Sequence, residues 1–213
     1  MARFPRDDQT IELVFQDALV SLGDYRLLAK IGSGGMGVVF RAWHARLQRT
    51  VALKELPNHL LKSPIAVARF GREMALFARL SHANLVQALD AREVRGRNFL
   101  ILEYVPGHDL AALVADRGPL PVGAVCEILR QVATGLAHAH AQGIIHRDVK
   151  PSNLMVTPEG VAKILDLGLA RLDLDAPASQ GLTDSTTKLG TVDYMAPEQW
   201  EHTQVDGAAD LYS

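Results

Sequence analysis

The sequence predicts an α+β fold with a strand-rich N-terminal lobe and a mainly helical C-terminal lobe. Three observations carry that expectation. From residue 24 to 105 the apolar residues fall into short β-like runs broken by glycine or polar turns. The dipeptide Pro106-Gly107 then interrupts the pattern. Beyond it, Val122, Val125, Ile128, Leu129, Val132, Leu136 and Ala139 recur at helical spacing and give one long helix with an apolar face.

Taken in order, residues 10–20 carry Ile11, Val14, Phe15 and Ala18, a weak amphipathic helix signal within an N-terminal extension, 1–23. Tyr25–Ile31, Val38–Trp43 and Val51–Leu56 read as an antiparallel meander. Ser63-Pro64 reads as a helix start, serine as N-cap and proline at the first helical position. That helix runs to about Leu80, with Phe70, Phe77 and Leu80 at helical spacing. Gln87–Val94 and Asn98–Val105 are two more strands around Arg95-Gly96-Arg97. Gly143 is expected to end the long helix. Short strands at Leu154–Thr157 and Ala162–Leu165 bracket Pro158-Glu159-Gly160. The polar stretch 172–190, with Ser179, Thr183, Ser185, Thr186 and Thr187, reads as a surface loop.

With 213 residues, 48% hydrophobic and 22% charged, the chain can bury a substantial core without staples. A formal net charge of −2 favours neither nucleic acid nor an anionic membrane as the main partner. Cys126 is the single cysteine, so no intrachain disulfide can form, and a reducing compartment fits. The N-terminus lacks the apolar core of a signal peptide, and no apolar run reaches bilayer-spanning length. A cytoplasmic location is expected, with a membrane anchor beyond Ser213 left open.

The chemistry concentrates in His146-Arg147-Asp148-Val149-Lys150-Pro151-Ser152-Asn153 and the following Asp166-Leu167-Gly168. Phosphoryl transfer needs such a set: an acid for the attacking hydroxyl, a cation for the moving phosphoryl group, and hard oxygen ligands for a divalent metal. Any one Asp or Asn here would ordinarily be a turn cap; the ordered set argues otherwise. Upstream, Ile31-Gly32-Ser33-Gly34-Gly35-Met36-Gly37-Val38-Val39 contains G-x-G-x-x-G-x-V. Alone it could be a glycine-rich hairpin turn, and the β run after it disfavours a dinucleotide loop. Val51-Ala52-Leu53-Lys54 places a lysine in a strand, where a single lysine usually just faces solvent. Glu73 shares a helix face with Phe70 and Phe77, and a carboxylate on an inward face needs a cation. Glu55, Glu93 and Glu103 are alternative partners for Lys54 on spacing, but lie on strands. Downstream stands Gly190-Thr191-Val192-Asp193-Tyr194-Met195-Ala196-Pro197-Glu198.

These segments, in this order, resemble the glycine-rich loop, V-A-I-K lysine, catalytic loop H-R-D-x-x-x-x-N, D-F-G and A-P-E of protein kinases. Over about residues 24–213 the chain resembles a bacterial-type serine/threonine protein kinase domain of the eukaryotic-like family. The resemblance implies a protein-kinase-like bilobal fold, N-lobe 24–105 and partial C-lobe 106–213, with ATP in the cleft between lobes. It implies transfer of the ATP γ-phosphate to Ser/Thr hydroxyls of protein substrates in signalling, by a non-specific serine/threonine protein kinase.

Asp148, Lys150, Lys54 and Glu73 would be the catalytic residues, and Asn153 and Asp166 would ligate Mg²⁺, with Mn²⁺ an alternative. Ile31, Gly32, Gly34, Gly37, Val39, Ala52, Lys54, Glu103, Val105, Asp109 and Met155 would contact the nucleotide, with Leu102 at the gatekeeper position. Lys150, two positions after Asp148, and Thr191 are features of the Ser/Thr class. Arg147 would bind a phosphate on the activation loop, for which Thr183 and Ser185 are the candidates, added by autophosphorylation within a kinase homodimer. Leu167 replaces the family's phenylalanine, which leaves the metal carboxylate intact but weakens inferences about an on–off switch there.

Asp210 is expected to brace the catalytic loop from below, at the start of a helix that the chain does not complete. On that reading the C-lobe is truncated, an apolar underside is exposed, and the chain is poorly stable and weakly active. A non-catalytic ATP-binding or regulatory fragment is the alternative. His138, His140 and His146 lack metal-ligand spacing and read as structural, Cys126 as packing on the long helix's inner face, and Trp43 and Trp200 as core or rim residues.

Overall fold

The computed structural model describes residues 21–34, 37–57, 74, 76–94, 96–167, 193–201 and 205–213. They divide into two compact units, Met1–His59 with Leu89–Tyr104, and Leu60–Ala88 with Val105–Ser213.

The first unit is a six-stranded sheet in the order β1-β2-β3-β4-β6-β5, where β1 is Ser21–Leu22, β2 Tyr25–Gly34, β3 Gly37–His44, β4 Arg49–Leu56, β5 Ala88–Val94 and β6 Arg97–Glu103. The alternation seen in the sequence sets its faces. Phe40 and Ala42 of β3, Val51 and Leu53 of β4, and Phe99 and Ile101 of β6 form one core with Leu22 and Tyr25. Two register irregularities, between Leu27 and Ala29 and between Lys30 and Gly32, bend β2 as it enters the glycine-rich segment. That segment remains strand up to the pair Gly34–Gly37, longer than the expected end at Ile31.

In the second unit, β7 (His108–Asp109), β8 (Leu154–Val156) and β9 (Ala162–Ile164) form a small antiparallel sheet. Helix α1 (Leu110–Arg117), which periodicity did not single out, starts where the Asp109 side chain accepts the Ala112 N–H at 2.8 Å. Helix α2 (Val122–Ala141) is the long helix. It ends as expected: Gly143 takes φ 74°, its N–H reaches His140 O, and Ile144 N–H reaches Ala139 O, the paired bonds of a Schellman cap.

The apolar face of α2 is narrower than expected. Ile128, Val132, Leu136 and Ala139 are buried with Leu85, Leu154 and Ile164, whereas Val122 and Leu129 are 79% and 55% exposed. Cys126 is also exposed, which corrects its placement on the inner face. Helical geometry gives the reason: at about 100° per residue, Leu129 is a quarter-turn and Cys126 more than half a turn from Ile128.

Residues 60–88, expected within the strand-rich lobe, group with the second unit, and their described part shows why. Leu80 and Leu85 belong to its core. Leu85 forms a parallel bridge with Ile164, Val86 N–H donates to Ile164 O at 3.0 Å, and Asn84 Nδ2 donates to Gln131 Oε1 and Ala162 O. The helix expected from Ser63-Pro64 to about Leu80 falls mostly outside the described residues, and residues 10–20 fall wholly outside them. Among the described residues no helix is long and apolar enough to cross a membrane.

Candidate active site

The loop between α2 and β8 has little regular structure, so side chains must hold its backbone. Asp210, 3% exposed, does much of this. Its Oδ2 accepts the His146 N–H at 2.8 Å and its Oδ1 the Arg147 N–H at 2.7 Å. His140 Nε2 lies 2.7 Å from the same Oδ2. Asp210 belongs to helix α4 (Ala208–Tyr212), which follows α3 (Glu198–Glu201). A Cβ on Gly207 would stand 2.7 Å from His140 Nδ1, so glycine is what lets α4 begin against that ring. The expected brace by Asp210 is therefore present; the His140 contact was not legible in sequence.

His146 is fully buried and locks the loop from within. Its Nδ1 accepts the Asp148 N–H at 3.2 Å, which assigns the proton to Nε2, 2.7 Å from Leu165 O. Leu165 N–H in turn donates to Asn153 O at 2.9 Å. One histidine thus fastens the loop of Asp148 to the residue just before Asp166. Arg147 and Asp166 both take positive φ, 67° and 55°. Non-glycine residues hold that conformation only where surroundings over-determine it, at a cost of roughly 1–3 kcal/mol each.

Asp148 is 7% exposed. Its Oδ2 meets Lys150 Nζ at 2.9 Å and Asn153 Nδ2 at 2.9 Å, and Asn153 Nδ2 also donates to Asp148 O at 2.7 Å. Among the described residues its Oδ1 is buried and has no hydrogen-bond partner. A buried carboxylate oxygen left unpaired costs stability unless a ligand completes it. The hydrogen bonds of the Asn153 side chain to described residues use Nδ2, so Oδ1, a hard oxygen, is kept out of them. Among the described residues no group of three or more His, Cys, Asp or Glu side chains could hold a metal ion. An amide oxygen plus the Asp166 carboxylate is a hard-oxygen pair that could hold a divalent cation whose shell is filled by phosphate and water oxygens. Leu167, in place of the family phenylalanine, is 4% exposed in the unit's core.

In the first unit, Gly37 has φ 113° and a Cβ there would lie 1.8 Å from Glu55 O, so only glycine fits. Val39 pairs with both Gly32 and Lys54 in register, and Ala52 with Leu102. Ile31 is 49% exposed, Ala52 8% and Lys54 2%. A buried ammonium needs a counter-charge. Of the alternatives for Lys54, Glu55 points to the opposite strand face and is held by Arg97 through Nε–Oε1 at 2.6 Å and NH2–Oε2 at 2.5 Å. Glu93 is exposed. Glu73 lies outside the described residues, as do Gly35, Met36, Gly168, Thr183, Ser185 and Thr191. Glu103 ends β6, opposite Val51. Val105 is buried and groups with the second unit. There Asp109 pairs with Met155, and its carboxylate caps α1.

Gln199 was missed in sequence because no motif contains it. Its Oε1 accepts the Ala196 N–H at 3.0 Å and its Nε2 donates to Arg147 O at 2.9 Å. The only available signal was a glutamine two residues after Pro197.

The family model for the protein kinase domain matches residues 25–213. Serine/threonine-protein kinase pkn3 of Myxococcus xanthus is 41% identical over 194 residues, covering 89% of this chain and 36% of the relative. Serine/threonine-protein kinase PknD of Mycobacterium tuberculosis is 39% identical over 191 residues, covering 90% of this chain and 28% of the relative. The chain thus spans about a third of the length of these curated relatives. Among solved structures, the PknI kinase domain of Mycobacterium tuberculosis matches with a TM-score of 0.69 at 32% identity, over 90% of this chain and 71% of that one.

Proposed function

The chain belongs to the protein kinase domain family, and on that premise we propose that it transfers the γ-phosphate of ATP to serine and threonine hydroxyls of protein substrates. The observation that carries this reading is the state of Asp148. One carboxylate oxygen is paired with the Lys150 ammonium and accepts from Asn153 Nδ2, and the other is buried with no partner among the described residues.

Asp148 Oδ1 is suited to accept the hydrogen of a substrate hydroxyl and aim its oxygen at phosphorus. Lys150 Nζ, 2.9 Å from Oδ2, places a positive charge beside the group being transferred. Lys150 also favours the Ser/Thr class, as does the similarity to serine/threonine-protein kinases. Asn153 and Asp166 would hold Mg²⁺, with Mn²⁺ as a substitute; the metal supplies neutralisation of phosphate charge. Lys54 would hold nucleotide phosphates, backed by Glu73, and Ile31, Gly32, Gly34, Gly37, Val39, Ala52, Glu103, Val105, Asp109 and Met155 would contact the rest of the nucleotide. Arg147, Thr183 and Ser185 would serve regulation by autophosphorylation between two copies. The activity would be cytoplasmic, as the single cysteine and the lack of a signal-peptide core suggest.

The test supplies the purified chain with γ-labelled ATP, Mg²⁺ and a serine- and threonine-bearing protein. Label is expected on Ser or Thr, with Asp148→Asn reducing the rate by about 10²–10⁴-fold and Lys54→Met abolishing it. ATP binding with no label transferred by the unmodified chain would sink the phosphotransfer reading.

A further inference from the structure

We propose that Gln199 is a positioning residue for phosphotransfer, tying the backbone that carries Asp148 to the Ala196-Pro197-Glu198 segment through one side-chain amide. The inference rests on the phosphotransfer reading above.

A simpler role accounts for only half of what this side chain does. Ala196 and Pro197 lead directly into α3, and Gln199 N–H donates to Ala196 O at 3.0 Å. Gln199 Oε1 accepts the Ala196 N–H at 3.0 Å, half of a capping box. That job needs an acceptor only, and glutamate performs it equally well. Nε2 is not needed for it. Instead Nε2 crosses 52 positions of sequence to the Arg147 carbonyl, 2.9 Å away.

The target is informative. Arg147 has φ 67°, a conformation its own preferences oppose. Its N–H is held by Asp210 Oδ1 at 2.7 Å, and the next amide, that of Asp148, by His146 Nδ1 at 3.2 Å. Gln199 holds the carbonyl between them. The peptide joining Arg147 to Asp148 is therefore gripped at its N–H by a histidine and at its C=O by a glutamine. A turn of that peptide would swing Asp148 Oδ1, and reaction geometry tolerates little displacement. Because the same amide group accepts from Ala196 and donates to Arg147, a shift of the Ala196–Glu198 segment is passed to the base. A glutamate would keep the first bond, lose the second, and set a carboxylate against a carbonyl oxygen.

Gln199→Glu separates the two roles, with Gln199→Ala removing both. In the unmodified full chain and in Gln199→Glu, phosphotransfer and amide hydrogen exchange are measured together. The expected result for Gln199→Glu is a kcat lower by about tenfold or more, KM for Mg-ATP within about twofold of the unmodified value, and faster exchange in peptides covering 146–150 with α2 unchanged. Unchanged kcat, or unchanged exchange at 146–150, would overturn the proposal. So would a kcat loss matched by equally faster exchange across α2, which marks general unfolding. If the unmodified chain transfers no phosphate, the phosphotransfer reading fails on its own account, and exchange at 146–150 still decides whether the tie exists.

Discussion

Asp210 shows how much a single buried carboxylate can organise. It accepts two backbone N–H groups of the loop ahead of Asp148 and touches His140, with no side-chain exposure. Removing it leaves one buried and one half-buried donor without a partner, at up to about 1–3 kcal/mol each. Asp210→Ala is therefore expected to lower stability by about 2–5 kcal/mol, read as a lower urea midpoint at unchanged slope. A loss under about 0.5 kcal/mol would mean the loop is held elsewhere. The aspartate itself was expected as a brace because the segment it opens resembles the central helix of a kinase C-lobe. His140 was not, since nothing local connects residues 70 positions apart.

Helix α2 is the element on which the second unit is built, and its tolerance for change is decided by close contacts. A Cβ on Gly135 would come within 3.1 Å of Ile164 Cδ1 and 3.2 Å of Asn84 Cβ and O. Replacing a mid-helix glycine by alanine gains about 0.5–1 kcal/mol in propensity. Overpacking costs about 1–3 kcal/mol. Ile164 Cδ1 can move, but the Asn84 carbonyl is tied to Ile164 N at 2.9 Å and cannot yield cheaply. Gly135→Ala is thus expected to destabilise by about 1 kcal/mol net, seen as a lower melting temperature; a rise would show that the 84–85 backbone gives way. The strands were mostly legible within a residue or two, because alternation and turn residues are local signals. Helix α1 and the two-residue strands β1 and β7 were not, being too short to show a period.

For the molecule as a whole, acid sensitivity follows from a pair of stacked imidazoles. His82 and His138 lie with ring centroids 5.1 Å apart at 27°. Burial lowers the His82 pKa below its ordinary 6.5, and the neighbouring His138 and Lys163 lower it further. A depressed histidine pKa means that the unfolded chain takes up the proton first. Its contribution to stability is complete above about pH 6.5 and is lost as pH falls through the folded value. Melting temperature should therefore drop between pH 7.5 and 5.5, and less steeply in His82→Asn, whose amide oxygen can still accept the Asn84 N–H that His82 Nδ1 accepts at 3.1 Å. An identical slope in both proteins would dismiss His82 as a contributor.

The sequence by itself determined which residues the proposed chemistry rests on: the glycine segment, Lys54, Asp148, Lys150, Asn153 and Asp166 stand in the order that suggested phosphotransfer, and β-alternation and helical spacing lay out most of the elements carrying them. Such information is local, lying in residue type and in periods of two and 3.6. Tertiary structure decided what holds the set in place. The bonds from Asp210 to His146 and from Gln199 to Arg147 join residues 64 and 52 positions apart. The exposure of Cys126 depends on which stripe of α2 meets Asn84 and Ile164. The positive φ of Arg147 and Asp166 has no sequence signature, because each residue disfavours it and only the surrounding bonds impose it.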